Sequence, residues 1–285
     1  MSSREWKSVY TTLKQLNRSL PRAKRKCTYS DPLIVAMYIW AVLHERPLCW
    51  AVQRISYNRI FRPRRLPSYS QFKRRVRTPR FGRMLEEVNA HLSQRTIPAP
   101  LMYVDGKALP VGPDSTDPEA LAGRSGGSFR RGYKLHALAT EDGRFVDHTI
   151  TGLNACEKAQ AHIMLQRTPL GAVVLGDGNY DDHKLYEAAV AGGAMFFAKP
   201  RKGAGRGHQP QSEARLASLR LCVDGQPPQY QRRRDIERYF GQLTGFGGGL
   251  QPLPSWVRRR DRVQRWVTAK LTIYHARLKA RKEVA

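Results

Sequence analysis

Leu101-Met102-Tyr103-Val104-Asp105-Gly106 is an apolar run stopped by a carboxylate and a glycine, and the pattern returns further on as Ala172-Val173-Val174-Leu175-Gly176-Asp177-Gly178. Short runs with no polar face read as strands buried on both sides, and Asp-Gly is a turn dipeptide. Between and beyond them, residues 133–139 and 145–150 alternate as strands around a Glu141-Asp142-Gly143-Arg144 turn. Residues 157–166 read as a helix, Asp181 is placed to cap another running to about 191, and 194–198 is a strand cut by Pro200. Strand, hairpin, helix, strand, helix, strand predicts a mixed α/β sheet. Residues 108–131, rich in Gly, Pro, Ser and Asp, are expected to be a mobile loop, and about 200–229 a polar insert. A helix is predicted over 230–243, a break over 245–254, and a long helix from 255 to about 282 with Val263, Trp266, Val267, Leu271, Tyr274 and Leu278 at helical spacing.

Working outward, Thr96-Ile97-Pro98-Ala99-Pro100 marks a boundary, which divides the chain into 1–97 and 98–285. The first part reads as all-α. Ser30-Asp31-Pro32 starts a helix whose eleven residues 33–43 have no polar face, and Pro47 stops it. A second helix is predicted over 50–59, then a turn at Arg62-Pro63-Arg64-Arg65-Leu66-Pro67, then a third helix capped by Ser68 or Ser70 and reaching about Arg77. On it Phe72 and Val76 face a core, while Gln71, Lys73, Arg74, Arg75 and Arg77 face outward. This is a helix-turn-helix-like unit with Lys73, Arg74, Arg75 and Arg77 as DNA contacts, or an ordinary bundle with a solvated basic face.

Charge separates the same regions. The 285 residues carry a formal net charge of +27, distributed as +16 over 1–95, −2 over 96–199 and +13 over 200–285. Such self-repulsion points to a polyanionic partner, with nucleic acid the natural one, unless this is a generally basic protein without chemistry. Arg258 and Arg259 belong to a run expected to touch phosphate. The eleven-residue apolar run is too short for a membrane span, and the first residues have no signal-peptide character. Cys27, Cys49, Cys156 and Cys222 include no C-x-x-C pair, which argues against a disulfide scaffold or a zinc finger. A cytoplasmic protein is expected.

Asp105 and Asp177, each ending a buried strand, are placed to hold a hard cation, although either Asp-Gly alone is a common turn. Glu237 sits among Arg232, Arg233, Arg234 and Arg238, where an ion-pair role is the simpler reading. Tyr230 and Arg233, seven and four residues before Glu237, share its helical stripe, which sets a phenol and a guanidinium fork beside the carboxylate. That grouping suits phosphoryl transfer. Asp181 and Asp182 are expected to cap a helix, Asp114, Asp117 and Glu119 to be solvated, and the histidines show no ligand spacing. Trp40, Trp50 and Trp266 read as core; Trp256 reads as core or rim, or as a ring that stacks on a base.

With these residues the chain resembles the DDE transposases of bacterial insertion sequences, of the large groups numbered four and five. Asp105, Asp177 and Glu237 follow that family's order, and Tyr230, Arg233 and Glu237 meet its Y-x-x-R-x-x-x-E signature. Thr244 stands where the family usually has Lys, and Gly245-Phe246-Gly247-Gly248-Gly249 replaces a more basic stretch. The resemblance covers roughly 98–280. It implies a ribonuclease-H-like catalytic domain over 98–285, preceded by the all-α region. It further implies two Mg²⁺ or Mn²⁺ ions, with Asp105 bridging both and Asp177 and Glu237 each completing one. Tyr230, Arg233, Arg234 and Arg238 become DNA contacts. The implied partners are double-stranded DNA, both element terminal repeats and target, and a second copy of the chain on DNA, in a bacterial, nucleoid-associated setting. The implied activity is DNA cleavage and strand transfer. A DNA-binding descendant without chemistry and a nuclease on the same fold are the alternatives.

Overall fold

Apolar runs and turn dipeptides resolve into one six-stranded sheet and, among the described residues, nine α-helices. The structure is a computed structural model that describes residues 1–19, 28–94, 100–200, 212–222, 227–244, 249–250 and 253–282. Residues 96–99 of the expected boundary, much of the 200–229 insert and residues 245–248 of the Gly-rich break lie outside the described residues. Two compact units are formed, one by Met1–Gln94 with Leu243–Ala285, the other by Arg95–Gln242.

The second unit is built on β1 (Leu101–Pro110). It pairs antiparallel with β3 (Ser128–Thr140) and parallel with β5 (Val173–Gly176), which pairs parallel with β6 (Met195–Ala198). The first part of β3 pairs with β2 (Leu121–Ser125) and the second with β4 (Phe145–Gly152), both antiparallel. With the short β2 set aside, the order is β4-β3-β1-β5-β6, a mixed sheet of the ribonuclease-H-like kind. Because side chains alternate along a strand, Met102 and Val104 enter a core with Leu165 of α5 (Glu157–Leu165), Tyr186 of α6 (His183–Ala191) and Phe196. Tyr103 takes the other face, its ring 6.4 Å from that of Tyr239 on α8 (Asp235–Thr244).

Within residues 108–131 only 111–120 are free of regular structure; the rest belongs to strands and a tight turn. β1 runs on to Pro110, and Gly126 and Gly127, at φ +57° and +82°, make the two-residue turn that joins β2 to β3. Both torsions are positive, as a right-twisted hairpin requires, so the glycines mark a turn and not flexibility. Asp117, expected in water, is fully buried and accepts a hydrogen bond of 2.7 Å from the Tyr133 hydroxyl. The Arg131 guanidinium donates to the carbonyls of Ala120 (3.0 Å) and Asp117 (2.6 Å). These partners come from β3, and composition cannot reveal them.

Two smaller differences share a cause. The cap of α6 is Asp182, which accepts from Lys184 N–H, while Asp181 forms a buried two-point pair with Arg215. Arg215 belongs to α7 (Glu213–Arg220), a helix inside the stretch expected to be an irregular insert.

In the first unit, α2 (Asp31–Leu43) is buried almost all round, as its uniform apolarity predicts. The predicted second helix is instead two 3-10 turns, Trp50–Val52 and Arg54–Ser56. Ser56 donates its hydroxyl to Trp50 O (2.5 Å) and accepts at its carbonyl from Trp40 Nε1 (2.8 Å), which spends polar groups on local closure. Ser68 caps α3 (Tyr69–Val76) through a capping box with Gln71. α1 (Ser3–Ser19) and α4 (Pro79–Ser93) join α2 around α9 (Arg260–Lys282). The C-terminal helix thus belongs with the helical unit, whereas the division at 97/98 groups it with the sheet. No helix of the described residues is long and apolar enough to cross a membrane.

Candidate functional site

Parallel pairing of β1 with β5 brings two aspartates level. Tyr103 pairs with Leu175, and Asp105 and Asp177 each lie two residues beyond that pair. Asp177 is fixed as the cap of a 3-10 turn, its Oδ1 accepting from Asn179 N–H at 2.7 Å. Asp105 accepts from Gly106 N–H at 2.8 Å. Burial pushes the Asp105 carboxyl up to about 7; the Gly106 N–H and Arg233 oppose that rise, and Asp177 and Glu157 add to it.

Residues 230–234 form a 3-10 turn, and α8 begins only at Asp235. A 3-10 turn eclipses residues three apart and an α-helix aligns those four apart, so Tyr230, Arg233 and Glu237 still share a side. Arg233 joins the acids. Its Nη1 donates to Glu237 Oε1 at 2.9 Å, while Nη2 lies 3.5 Å from Asp105 Oδ2 and 4.0 Å from Asp177 Oδ2. The Arg233 side chain is 16% exposed and that of Glu237 59%. Arg233 Nε is buried and has no hydrogen-bond partner among the described residues. Burial raises the Tyr230 hydroxyl, with Asp177 adding to the rise and Arg233 opposing it.

Glu157 escaped the sequence reading. It opens α5, accepts from Lys134 Nζ at 2.7 Å and lies against Gly106, where an added Cβ would meet its Oε1 at 3.1 Å. Tyr180 is buried beside the same acids, and its hydroxyl is raised by burial, then by Asp105, Glu157 and Asp177. A cleft of about 280 Å³ here is lined by Lys134, Cys156, Glu157, Lys158, Asn179 and Tyr180. A signal existed. Gly106 sits inside β1 and not in a turn, and a glycine within a strand marks a close approach.

The remaining expected contacts divide between the units. Arg234 and Arg238 are exposed, and Arg238 lies 3.2 Å from Asp235 and 5.3 Å from the Tyr239 ring. In the helical unit Lys73 is half-buried and Arg74 and Arg77 are exposed on or just after α3, while Arg75 donates to Tyr29 O (3.0 Å) and pairs with Asp31. Arg75 is thereby part of the helical scaffold. Arg258 and Arg259 precede α9, and Arg258 Nε donates to Ser255 O at 2.9 Å.

Among the described residues no three His, Cys, Asp or Glu side chains stand close enough together to hold a metal ion. The chemistry of the donors, though not their present spacing, suits one. Three carboxylates share a single guanidinium, so their negative charge exceeds the positive charge between them, and carboxylate oxygens are the donors that Mg²⁺ and Mn²⁺ prefer.

No curated protein matches the chain. A solved structure similar to it is the cryo-EM synaptic complex of piggyBac transposase with hairpin DNA, at 9% identity and a TM-score of 0.47, covering 98% of this chain and 75% of that one. The sequence model of the transposase DDE domain matches residues 98–274, from just before β1 into α9. That match spans more than half of the sequence and includes Asp105, Asp177 and Glu237, and the chain therefore belongs to the transposase DDE domain family.

Proposed function

We propose that this protein is a DNA transposase that binds the ends of its own element and cuts and rejoins DNA, with Asp105, Asp177 and Glu237 as its catalytic carboxylates. The observation that carries the proposal is the convergence of these three side chains on Arg233, from β1, the turn after its parallel neighbour β5, and a helix. Asp105, Asp177 and Glu237 would hold Mg²⁺ or Mn²⁺, two ions in all. Divalent cations bound there supply a lowered pKa for an attacking water or DNA 3′-hydroxyl and offset charge on the leaving oxygen.

The chain's own groups do the rest. The Gly106 and Asn179 amides hold the two aspartates in place. Arg233 is a planar fork suited to a phosphate once cations neutralise the acids. Tyr230, Arg234 and Arg238 extend the cationic and aromatic surface from the same elements. Lys73, Arg74, Arg77, Arg258 and Arg259 grip the DNA backbone, and a second copy of the chain pairs the two ends.

The test uses purified protein and labelled DNA carrying the sequences that flank its gene. Wild type should cleave and transfer strands only with Mg²⁺ or Mn²⁺. Asp105→Ala, Asp177→Ala and Glu237→Ala should each lose roughly a thousandfold or more, since groups that act as one unit fail together. Binding without cleavage under all conditions would make the protein a non-catalytic DNA binder, and cleavage without strand transfer would make it a nuclease.

A further inference from the structure

The helical unit carries a groove that the carboxylate site does not use. It encloses about 350 Å³ and is lined by residues of the 38–77 segment and of 255–266. Its floor is apolar, with Ala41, Val42, Val76 and the buried Trp266. Two of its lining rings are exposed, Tyr69 at 45% and Trp256 at 41%. Lys73, Arg77, Arg258, Arg262 and Arg265 also line the groove, and no carboxylate is among the lining residues. Lys73 Nζ already lies 5.7 Å from the centre of the Tyr69 ring.

An aromatic ring left in water has forgone the burial that Trp6, Trp40 and Trp266 enjoy in the same unit. The groove therefore asks for a ligand with a flat apolar face and negative charge on one body. Duplex DNA offers charge, but its bases are stacked on each other and leave no face for a ring. An unpaired nucleotide offers both: its base stacks on an aromatic side chain and its phosphate meets the cations.

We infer that this groove binds single-stranded DNA, with Trp256 and Tyr69 stacking on unpaired bases and the lining Lys and Arg side chains on their phosphates. The inference rests on the proposed DNA reading only for the class of partner, because the groove lies wholly within the helical unit.

The experiment compares three fluorescein-labelled ligands of equal length at one salt concentration: oligo(dT), its abasic analogue, and a duplex. Anisotropy is read with full-length wild type, Trp256→Ala, Tyr69→Ala and Trp256→Phe. Each alanine variant should weaken oligo(dT) binding by about tenfold or more, as loss of a stacking ring does. The phenylalanine variant should keep most of it, and binding of the abasic strand and the duplex should not change. Wild type that binds the abasic strand as tightly as oligo(dT), or alanine variants that lose duplex and oligo(dT) alike, would overturn the inference. So would polyglutamate competing as well as oligo(dT), since charge alone would then be recognised. If wild type binds neither duplex nor single strand, the DNA reading itself fails; duplex binding without base-dependent strand binding sinks this inference alone.

Discussion

Lys134 separates what would otherwise be a cluster of like charges. Its ammonium holds Glu157, which lies against Gly106 and next to Asp105. Replacing it by Met keeps the stem and removes the charge, so Glu157 loses its partner and faces Asp105, which keeps only Arg233 beside it. Lys134→Met should lose about 1–3 kcal/mol of stability at pH 8. The loss should shrink at pH 5, where Asp105, already pushed up to about 7, takes up a proton. Urea unfolding at the two pH values measures the difference. A second residue pair makes a stronger statement. Asp181 and Arg215 are both nearly inaccessible and meet through two contacts of 2.9 Å, with the Tyr186 hydroxyl donating to Asp181 at 3.2 Å. Arg215→Met should cost about 3–5 kcal/mol because it strands a buried charge, and adding Asp181→Asn should recover most of that cost. Chemical denaturation of the single and double variants tests the asymmetry.

At the scale of elements, β3 holds the domain together and carries a pH dependence of its own. His136, in the middle of β3, is buried; its Nε2 lies 2.8 Å from Thr151 Oγ1, and its Nδ1 has no partner among the described residues. Burial, with Lys134 nearby, lowers its pKa to about 4. Between the ordinary imidazole value of about 6.5 and that folded value, the unfolded chain binds the proton and the folded chain does not. Stability is then full above pH 6.5 and falls as pH drops toward 4, by up to about 3 kcal/mol. His136→Gln should flatten this part of the pH–stability curve, which thermal melts between pH 4 and 7 would detect. The same strand orders residues 121–125 and buries Asp117. β2 exists because β3 offers it a partner, and Asp117 is buried because Tyr133 reaches it. Local composition registers neither.

For the molecule as a whole, the division of labour does not follow chain order. α9 lies more than 150 residues beyond α4 in sequence yet packs on α1, α2 and α4, and His275 Nδ1 is 3.0 Å from Asn89 Oδ1. Lys270 on α9 is buried against Trp266 and pairs with Glu45. Deleting residues 260–285 should therefore unfold helices far from the cut and leave the sheet unit's strands intact. Circular dichroism would record a loss of helical signal well beyond the 23 residues of α9 itself. A loss limited to those residues would mean that α1, α2 and α4 hold together without it.

By itself the sequence determined the apolar starts of β1 and β5, the uniformly apolar α2, and the spacing that sets Tyr230 and Arg233 on one side with Glu237. Those features are local: an apolar period and a three- or four-residue spacing survive in one dimension. Tertiary structure decided that Arg233 gathers all three acids, that Glu157 stands beside Gly106, that Asp117 and Arg215 are buried, and that α9 completes the N-terminal helices. Each of these depends on a partner from a distant element, and a side chain's burial and charge state are set by that partner rather than by its neighbours in sequence.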